Sequence, residues 1–255
     1  MVELKTAGEI QAMREAGRLV ARTLGAVARH ATPGTRLTEL DDLAAATLAE
    51  AKATPAFLGY HPPFAPTPYP AVLCVSVNDA IVHGIPRRDR LKDGDLLSVD
   101  FGAYLDGWAG DSAISLTVGT PRPDDLDLIH ATERALTAGI AAATPGNRMG
   151  DIGAAISAVA ATGPYGVPTD FGGHGIGRHM HEDPHVPNHG RPGRGLTLRP
   201  GLVLAIEPMF IAGGDHRYRT GPDGWTLHSV NGGRAAHAEH TIAITDDGPL
   251  ILTQP

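Results

Sequence analysis

Apolar residues recur at helical spacing in four stretches of the chain. Ile10, Met13, Val20, Leu24 and Val27 follow Thr6 and Glu9, whose spacing is a capping-box pattern, so a helix should start after Thr6 and run to the break at Pro33-Gly34. Leu37, Leu40, Leu43, Ala44 and Leu48 mark a second helix. Leu126, Ile129, Leu136 and Ile140 mark a third, and Ile152, Ile156 and Val159 a fourth. Residues 72–77, 95–101, 108–118, 202–211 and 239–245 read as strands, rich in Val, Ile and Leu with turn residues between them. Residues 60–70 and 183–200 are rich in Pro and Gly and read as loops.

The pattern occurs twice. Ala31-Thr32-Pro33-Gly34-Thr35-Arg36 matches Ala143-Thr144-Pro145-Gly146-Asn147-Arg148 at an offset of 112. Leu91-Lys92-Asp93-Gly94 with Leu96-Leu97-Ser98-Val99-Asp100 matches Leu198-Arg199-Pro200-Gly201 with Val203-Leu204-Ala205-Ile206-Glu207 at an offset of 107. A third echo, His83-Gly84-Ile85 with His174-Gly175-Ile176, lies between them at an offset of 91. Two unequal insertions account for the drift. The chain therefore reads as one domain over residues 1–255 made of two similar halves, about 6–118 and 123–245. The fold class is α+β: one central, mostly antiparallel sheet covered by two helix pairs, with pseudo-twofold symmetry. Ligand sites tend to form where such halves meet.

Composition narrows the class further. With 42% hydrophobic residues in 255, the chain can bury a sizeable core. One cysteine excludes both a disulfide framework and a thiolate zinc site. A net charge of -7 argues against a dedicated nucleic-acid binder. The start, MVELKTAGEI, has no apolar signal core, and no run approaches the ~18 apolar residues of a membrane span. A globular cytoplasmic protein, off the membrane, is expected.

Carboxylates stand where core strands should be apolar. Asp100 ends the Leu96–Val99 run, and Asp111 lies in the next strand, nearly symmetric about a turn with Asp106-Gly107 as its hairpin signal. So folded, the two face each other or sit on a diagonal of one sheet face. Glu207 is the repeat counterpart of Asp100 at the end of an apolar run, and Glu239 heads another. Four carboxylates converging on one sheet cannot all stay ionised without cations, and two divalent metals would balance them. His174, set among glycines in Phe171-Gly172-Gly173-His174-Gly175-Ile176-Gly177, is a candidate nitrogen ligand. Taken singly, these residues have ordinary explanations. Asp100 could be a turn residue, Cys74 a core thiol, and His179, His181, His185 and His189 a histidine-rich surface loop. The duplicated acidic position is what no ordinary explanation covers.

The combination Ser98-Val99-Asp100, Gly110-Asp111, Gly173-His174-Gly175-Ile176-Gly177, Ile206-Glu207-Pro208 and Glu239-His240-Thr241 resembles the methionine aminopeptidase family, type I, nearly end to end. The resemblance implies the pita-bread fold of the wider metallopeptidase superfamily. It implies a dinuclear centre of two divalent cations (Co, Mn, Fe or Zn) held by Asp100, Asp111, His174, Glu207 and Glu239, with Asp111 and Glu239 bridging. It makes His83 and His181 substrate-facing histidines and Glu207 a proton shuttle. It gives Tyr60, Tyr69, Cys74 and Trp225 as walls of a methionine pocket. The implied reaction is hydrolytic removal of N-terminal methionine from peptides and nascent chains, with a small second residue preferred, by a monomer; a ribosome contact suits a cotranslational enzyme, and Arg217 and Arg219 are the local basic residues that hint at one. His174 and Glu207 are only 33 positions apart, which leaves no room for the helical insertion of type II. Two features depart from the pattern: the 61–68 segment is longer than usual between the tyrosines, and His237 and Ala238 stand where Gln and an aromatic are common. A proline-directed aminopeptidase on the same centre, or a binding module on the same fold, are the competing readings.

Overall fold

The computed structural model describes residues 2–63 and 65–255. Four helices form where the periodicity places them: α1 (Ala7–His30), α2 (Leu37–Ala51), α3 (Pro123–Ala142) and α4 (Met149–Ala160). Thr6 and Glu9 close a reciprocal capping box at the start of α1, satisfying backbone donors that a first turn leaves free. The buried stripe of α1 comprises Met13, Leu19, Val20, Leu24 and Val27.

The repeat is visible as geometry. Gly34 and Gly146 both adopt positive φ, 95° and 90°. Their N–H groups donate to Leu91 and Leu198, the repeat partners of one another. The N–H groups of Arg36 and Arg148 donate to Glu39 and Asp151, each three residues into its helix. The third echo has no such counterpart. Gly175 lies opposite Leu204, whereas Leu97, the repeat partner of Leu204, lies opposite Val77. Register therefore matches His174 with Ser76, not with His83.

Among the described residues nine strands form the central sheet, and each pairing in it is antiparallel. The path runs Thr54–Pro55, Leu96–Leu105, Trp108–Thr117, Glu239–Thr245, Val203–Ile206, Gly172–Gly175, Glu182–Pro187. Cys74–Val77 also pairs with Leu96–Leu105, and Gly248–Ile251 with Glu239–Thr245. One core cluster packs α1 and α2 on the first half, and another packs α3 and α4 on the second. A third, with Met13, Phe57, Tyr69, Cys74, Ile176, Met180 and Trp225, lies between them beneath the site.

Two expectations change. Residues 202–211 are two strands, Val203–Ile206 and Met209–Ala212, which join different sheets. Pro208 has no N–H to continue a ladder, so the chain breaks there and leaves Glu207 at the bend. The 183–200 stretch is not all loop, because Glu182–Pro187 pairs along Gly172–Gly175. The 60–70 segment is irregular among its described residues, Phe64 lying outside them.

Candidate metal centre

Each acidic residue reaches the site from a different place in the sheet. The Leu96–Leu105 and Trp108–Thr117 strands close a two-residue turn in which Asp106 and Gly107 both take positive φ, 51° and 77°. This register sets Asp100 opposite Ala113 and Asp111 opposite Gly102, so the two aspartates lie on a diagonal of one face. Glu239 is opposite Ala113 from the other side, which brings it onto the same patch. The Asp111 backbone is pinned twice by Thr241: its N–H donates to Oγ1 at 3.0 Å and its carbonyl accepts from Oγ1 at 2.7 Å. Glu207 arrives at the Pro208 bend, its carbonyl accepting from Asn188 Nδ2 at 3.0 Å.

His174 completes the group. A Cβ at Gly173 would overlap the Ala205 carbonyl oxygen, so only glycine lets this strand approach so closely. His174 Nδ1 lies 2.9 Å from the Gly175 carbonyl, which can only accept, so Nδ1 carries the proton and the Nε2 lone pair is free. Nε2 points at Asp111 Oδ2 (3.8 Å) and Glu207 Oε1 (3.6 Å). Burial, then the neighbouring His181, lowers the His174 pKa to about 3, which keeps the ring neutral as a ligand requires.

The carboxylates are out of balance in the bare protein. Burial first, then mutual repulsion, pushes Asp111 and Glu239 well above the usual range; burial and the Asp100 charge do the same to Glu207, and burial raises Asp100. Asp100 Oδ1, Asp111 Oδ1 and Glu239 Oε1 are buried with no hydrogen-bond partner. Ligand atoms of Asp111, His174 and Glu239 lie within 4.8 Å of one another. Oxygen-rich, buried, unpartnered and accompanied by one neutral imidazole, this donor set fits divalent cations.

A cavity of about 710 Å³ opens over the centre and brings together all eleven residues singled out in the sequence. Tyr60 and Tyr69 remain side by side in it despite the long 61–68 segment. Tyr69 N–H donates to the Tyr60 carbonyl and Gly59 N–H to the Tyr69 carbonyl, so the segment is tied at its base. Tyr69 Oη shares its one proton between the carbonyls of Gly84 (2.8 Å) and Leu73 (3.0 Å), and Trp225 Nε1 donates to that of Thr67 (3.0 Å). The Cys74 thiol is buried in this wall. His83 takes positive φ, 60°, with Trp225 and Phe171 edge-on. His181 is solvent-accessible at the cavity, yet stacks on Tyr60 at 5.0 Å and lies 4.3 Å from the His174 ring. Burial holds His83 at about 4, and desolvation inside the cleft holds His181 there too although solvent reaches its side chain, so both are neutral near pH 7. His179 and His185 are exposed.

Sequence reasoning missed His237 as part of the site. It is 2% exposed, with Nε2 unpartnered 3.7 Å from Glu207 Oε2 and 4.0 Å from Glu239 Oε2. Its signal was its place two residues before Glu239. Phe57, Phe171 and Tyr218, which also line the cavity, gave none.

Residues 11–246 match the model of metallopeptidase family M24. The chain is 47% identical to methionine aminopeptidase 1 of Mycobacterium tuberculosis, covering 99% of this chain and 95% of that one. It is 44% identical to methionine aminopeptidase 1 of Bacillus subtilis over the full length of both. Among solved structures, the methionine aminopeptidase of Thermotoga maritima superposes with a TM-score of 0.95 at 40% identity, again covering both chains fully.

Proposed function

The chain belongs to metallopeptidase family M24, among its methionine aminopeptidases, and from that membership and the acidic centre we propose that it hydrolyses the peptide bond after an N-terminal methionine. It has the family's pita-bread fold. The observation that carries the reading is the convergence of Asp100, Asp111, His174, Glu207 and Glu239 on one cavity floor, with buried carboxylate oxygens unpartnered. These five residues would hold two divalent cations, Asp111 and Glu239 shared between them, from the set Co, Mn, Fe and Zn. When bound, such cations supply Lewis acidity and lower the pKa of a water into the neutral range.

The protein's own side chains supply the rest. Tyr60, Tyr69, Cys74 and Trp225, with Phe57, form an apolar wall that suits a soft thioether. His181 and His83 stand neutral beside the centre, so each can donate an N–H to the substrate carbonyl oxygen and stabilise the charge that develops there. Glu207, at the Pro208 bend beside the centre, stands where a carboxylate can take a proton from the attacking water and pass it to the leaving amine. That role shares the residue with its duty as a ligand.

Residues 1–255 act as one catalytic unit of two similar halves, 6–118 and 123–245. We place it as a monomer in the cytoplasm, acting on nascent chains as they leave the ribosome. No helix among the described residues is long and apolar enough to cross a membrane. Arg217 donates to both oxygens of Asp215, so Arg219 is the freer of the two basic residues flanking Tyr218. The deciding assay compares Met-Gly-Met-Met with an Xaa-Pro peptide in the presence of Co or Mn. Cleavage of the first alone supports a methionine aminopeptidase, and preference for the second would make this a proline-directed enzyme.

A further inference from the structure

The segment before α1 touches the lining of the site through Lys5, which bonds Glu182. Lys5 is 6% exposed, and its backbone N–H donates to the Gly201 carbonyl at 2.7 Å. Its ammonium donates to Glu182 Oε2 at 2.7 Å and to Glu3 Oε2 at 2.8 Å. The Glu182 side chain is 13% exposed, whereas that of Glu3 is 70% exposed. Burial alone would lower the Lys5 pKa; the hydrogen bonds to Glu182 and Glu3 outweigh it and leave it raised. The fold makes room for this pair: a Cβ at Gly177 would lie 2.7 Å from both Lys5 Nζ and Glu182 Oε1.

Glu182 has a second task. Its Oε1 accepts the backbone N–H of His179 at 3.0 Å, closing a tight turn whose two inner residues are Met180 and His181. Met180 is buried, and His181 projects from the turn into the cavity. The His181 ring is held by stacking on Tyr60 and contact with His174; among the described residues no hydrogen bond reaches it. The placement of the ring therefore depends on the turn, and the turn depends on where the Glu182 carboxylate is fixed.

We propose that Lys5 is a positioning residue for His181: its ammonium fixes one oxygen of Glu182 so that the other closes the 179–182 turn and aims the His181 ring across the cleft. This rests on the reading of His181 as a substrate-facing donor. A buried ion pair is weak evidence for stability, because desolvation offsets the attraction. Its use here is geometric, linking residues 177 apart in sequence.

The test is a cycle on the metal-loaded enzyme. Lys5→Met should lower kcat on Met-Gly-Met-Met by about tenfold to 10²-fold, with a smaller change in KM, since small displacements of a reacting group have costs of that order. In a His181→Ala background, Lys5→Met should cause no further loss. Glu3→Gln is the control and should leave turnover unchanged. A direct readout is the His181 ring resonance in the zinc-loaded protein, which should move in Lys5→Met as the stacking on Tyr60 is lost. Glu182→Gln, which keeps an acceptor for His179 but removes the charge, should move the resonance in the same direction and serves if Lys5→Met does not fold. Equal loss in both backgrounds, or an unmoved resonance, would overturn the proposal. Full turnover by His181→Ala alone would instead overturn the role given to His181, with the resonance still deciding whether Lys5 sets its position.

Discussion

His174 turns its free Nε2 to within 3.8 Å of Asp111 Oδ2, while its protonated Nδ1 is fixed on the Gly175 carbonyl. A neutral nitrogen and a buried carboxylate held this way are a donor pair for a cation. Asp111 is also diagonal to both Asp100 and Glu239, so it occupies the middle of the group.

Asp111→Ala should therefore abolish both metal retention and activity, since it removes the central oxygen donor and a proposed bridge. Chelated wild-type protein should regain activity with added Co or Mn, and the variant should not. Metal analysis alongside a Met-Gly-Met-Met assay checks both. Full activity in exhaustively metal-free wild-type protein would exclude the metal centre.

His181→Ala should keep metal content and thermal stability while kcat falls by ~10²–10³, about 2.7–4 kcal/mol, the usual cost of one donor to a developing oxyanion. The ring is neutral, stacks on Tyr60 and lies tilted at 44° against the His174 ring. His179, exposed two residues away, should tolerate alanine with near wild-type turnover. Metal loss in the His181 variant would make it a ligand instead.

The helix pairs were legible because each half repeats an amphipathic stripe and a Pro-Gly break, and Gly34 and Gly146 keep the same backbone geometry. The acidic positions were legible because a carboxylate beside a run such as Val203–Ile206 contradicts its surroundings. What stayed hidden depends on contacts distant in sequence. Short strands such as Ala80–Val82 and Leu227–Ser229 carry too few residues to show a period, and they exist through pairing with each other. Thr241 steadies Asp111 across 130 residues, and nothing local in either segment announces it. His237 stood out in the sequence only as a departure from the family pattern, and only packing shows that it reaches Glu207 and Glu239.

Gly173→Ala tests how closely the His174 strand must approach its neighbour. The added methyl would overlap the Ala205 carbonyl oxygen and lie 3.2 Å from Val186 Cβ, and backbone cannot step aside as a flexible side chain can. The variant should lose about 1–3 kcal/mol of stability by overpacking. His174 should shift with the strand, so metal affinity should fall more than stability alone explains. Denaturant unfolding with and without metal separates the two, and unchanged affinity in a destabilised variant would show that the strand relaxes without moving the ligand.

Substrate selectivity should follow the second residue. Peptides with Met followed by Gly, Ala or Ser should be cut readily, and those with Met followed by Lys or Leu poorly, with the difference mainly in kcat/KM. Steric exclusion from a rigid cleft costs more than the ~1–3 kcal/mol that one methylene contributes in a pocket. Equal cleavage of Met-Ala and Met-Lys peptides would remove the small-residue preference from the proposal.

The stability that bound metal adds should grow as pH rises. Asp100, Asp111, Glu207 and Glu239 have raised pKa values in the bare protein, chiefly through burial. Above about pH 4.5 the folded state therefore holds protons that the unfolded chain has released, and stability is lost as pH rises toward the raised values. The histidines work the other way. Folded His83, His181 and His240 titrate at about 4, and His174 and His237 at about 3, against 6.5 unfolded. Their contribution is present above 6.5 and is lost as pH falls from there toward 3. Cations bind the ionised carboxylates and so remove the first penalty but not the second. Added Mn should therefore raise Tm more at about pH 8 than at about pH 5.5, and free metal at a hundred times its Kd should contribute about 2.7 kcal/mol. Thermal melts at both pH values, with and without chelator, measure the difference. A shift that is equal at the two values, or larger at the lower one, would mean that the four carboxylates do not titrate with the metal.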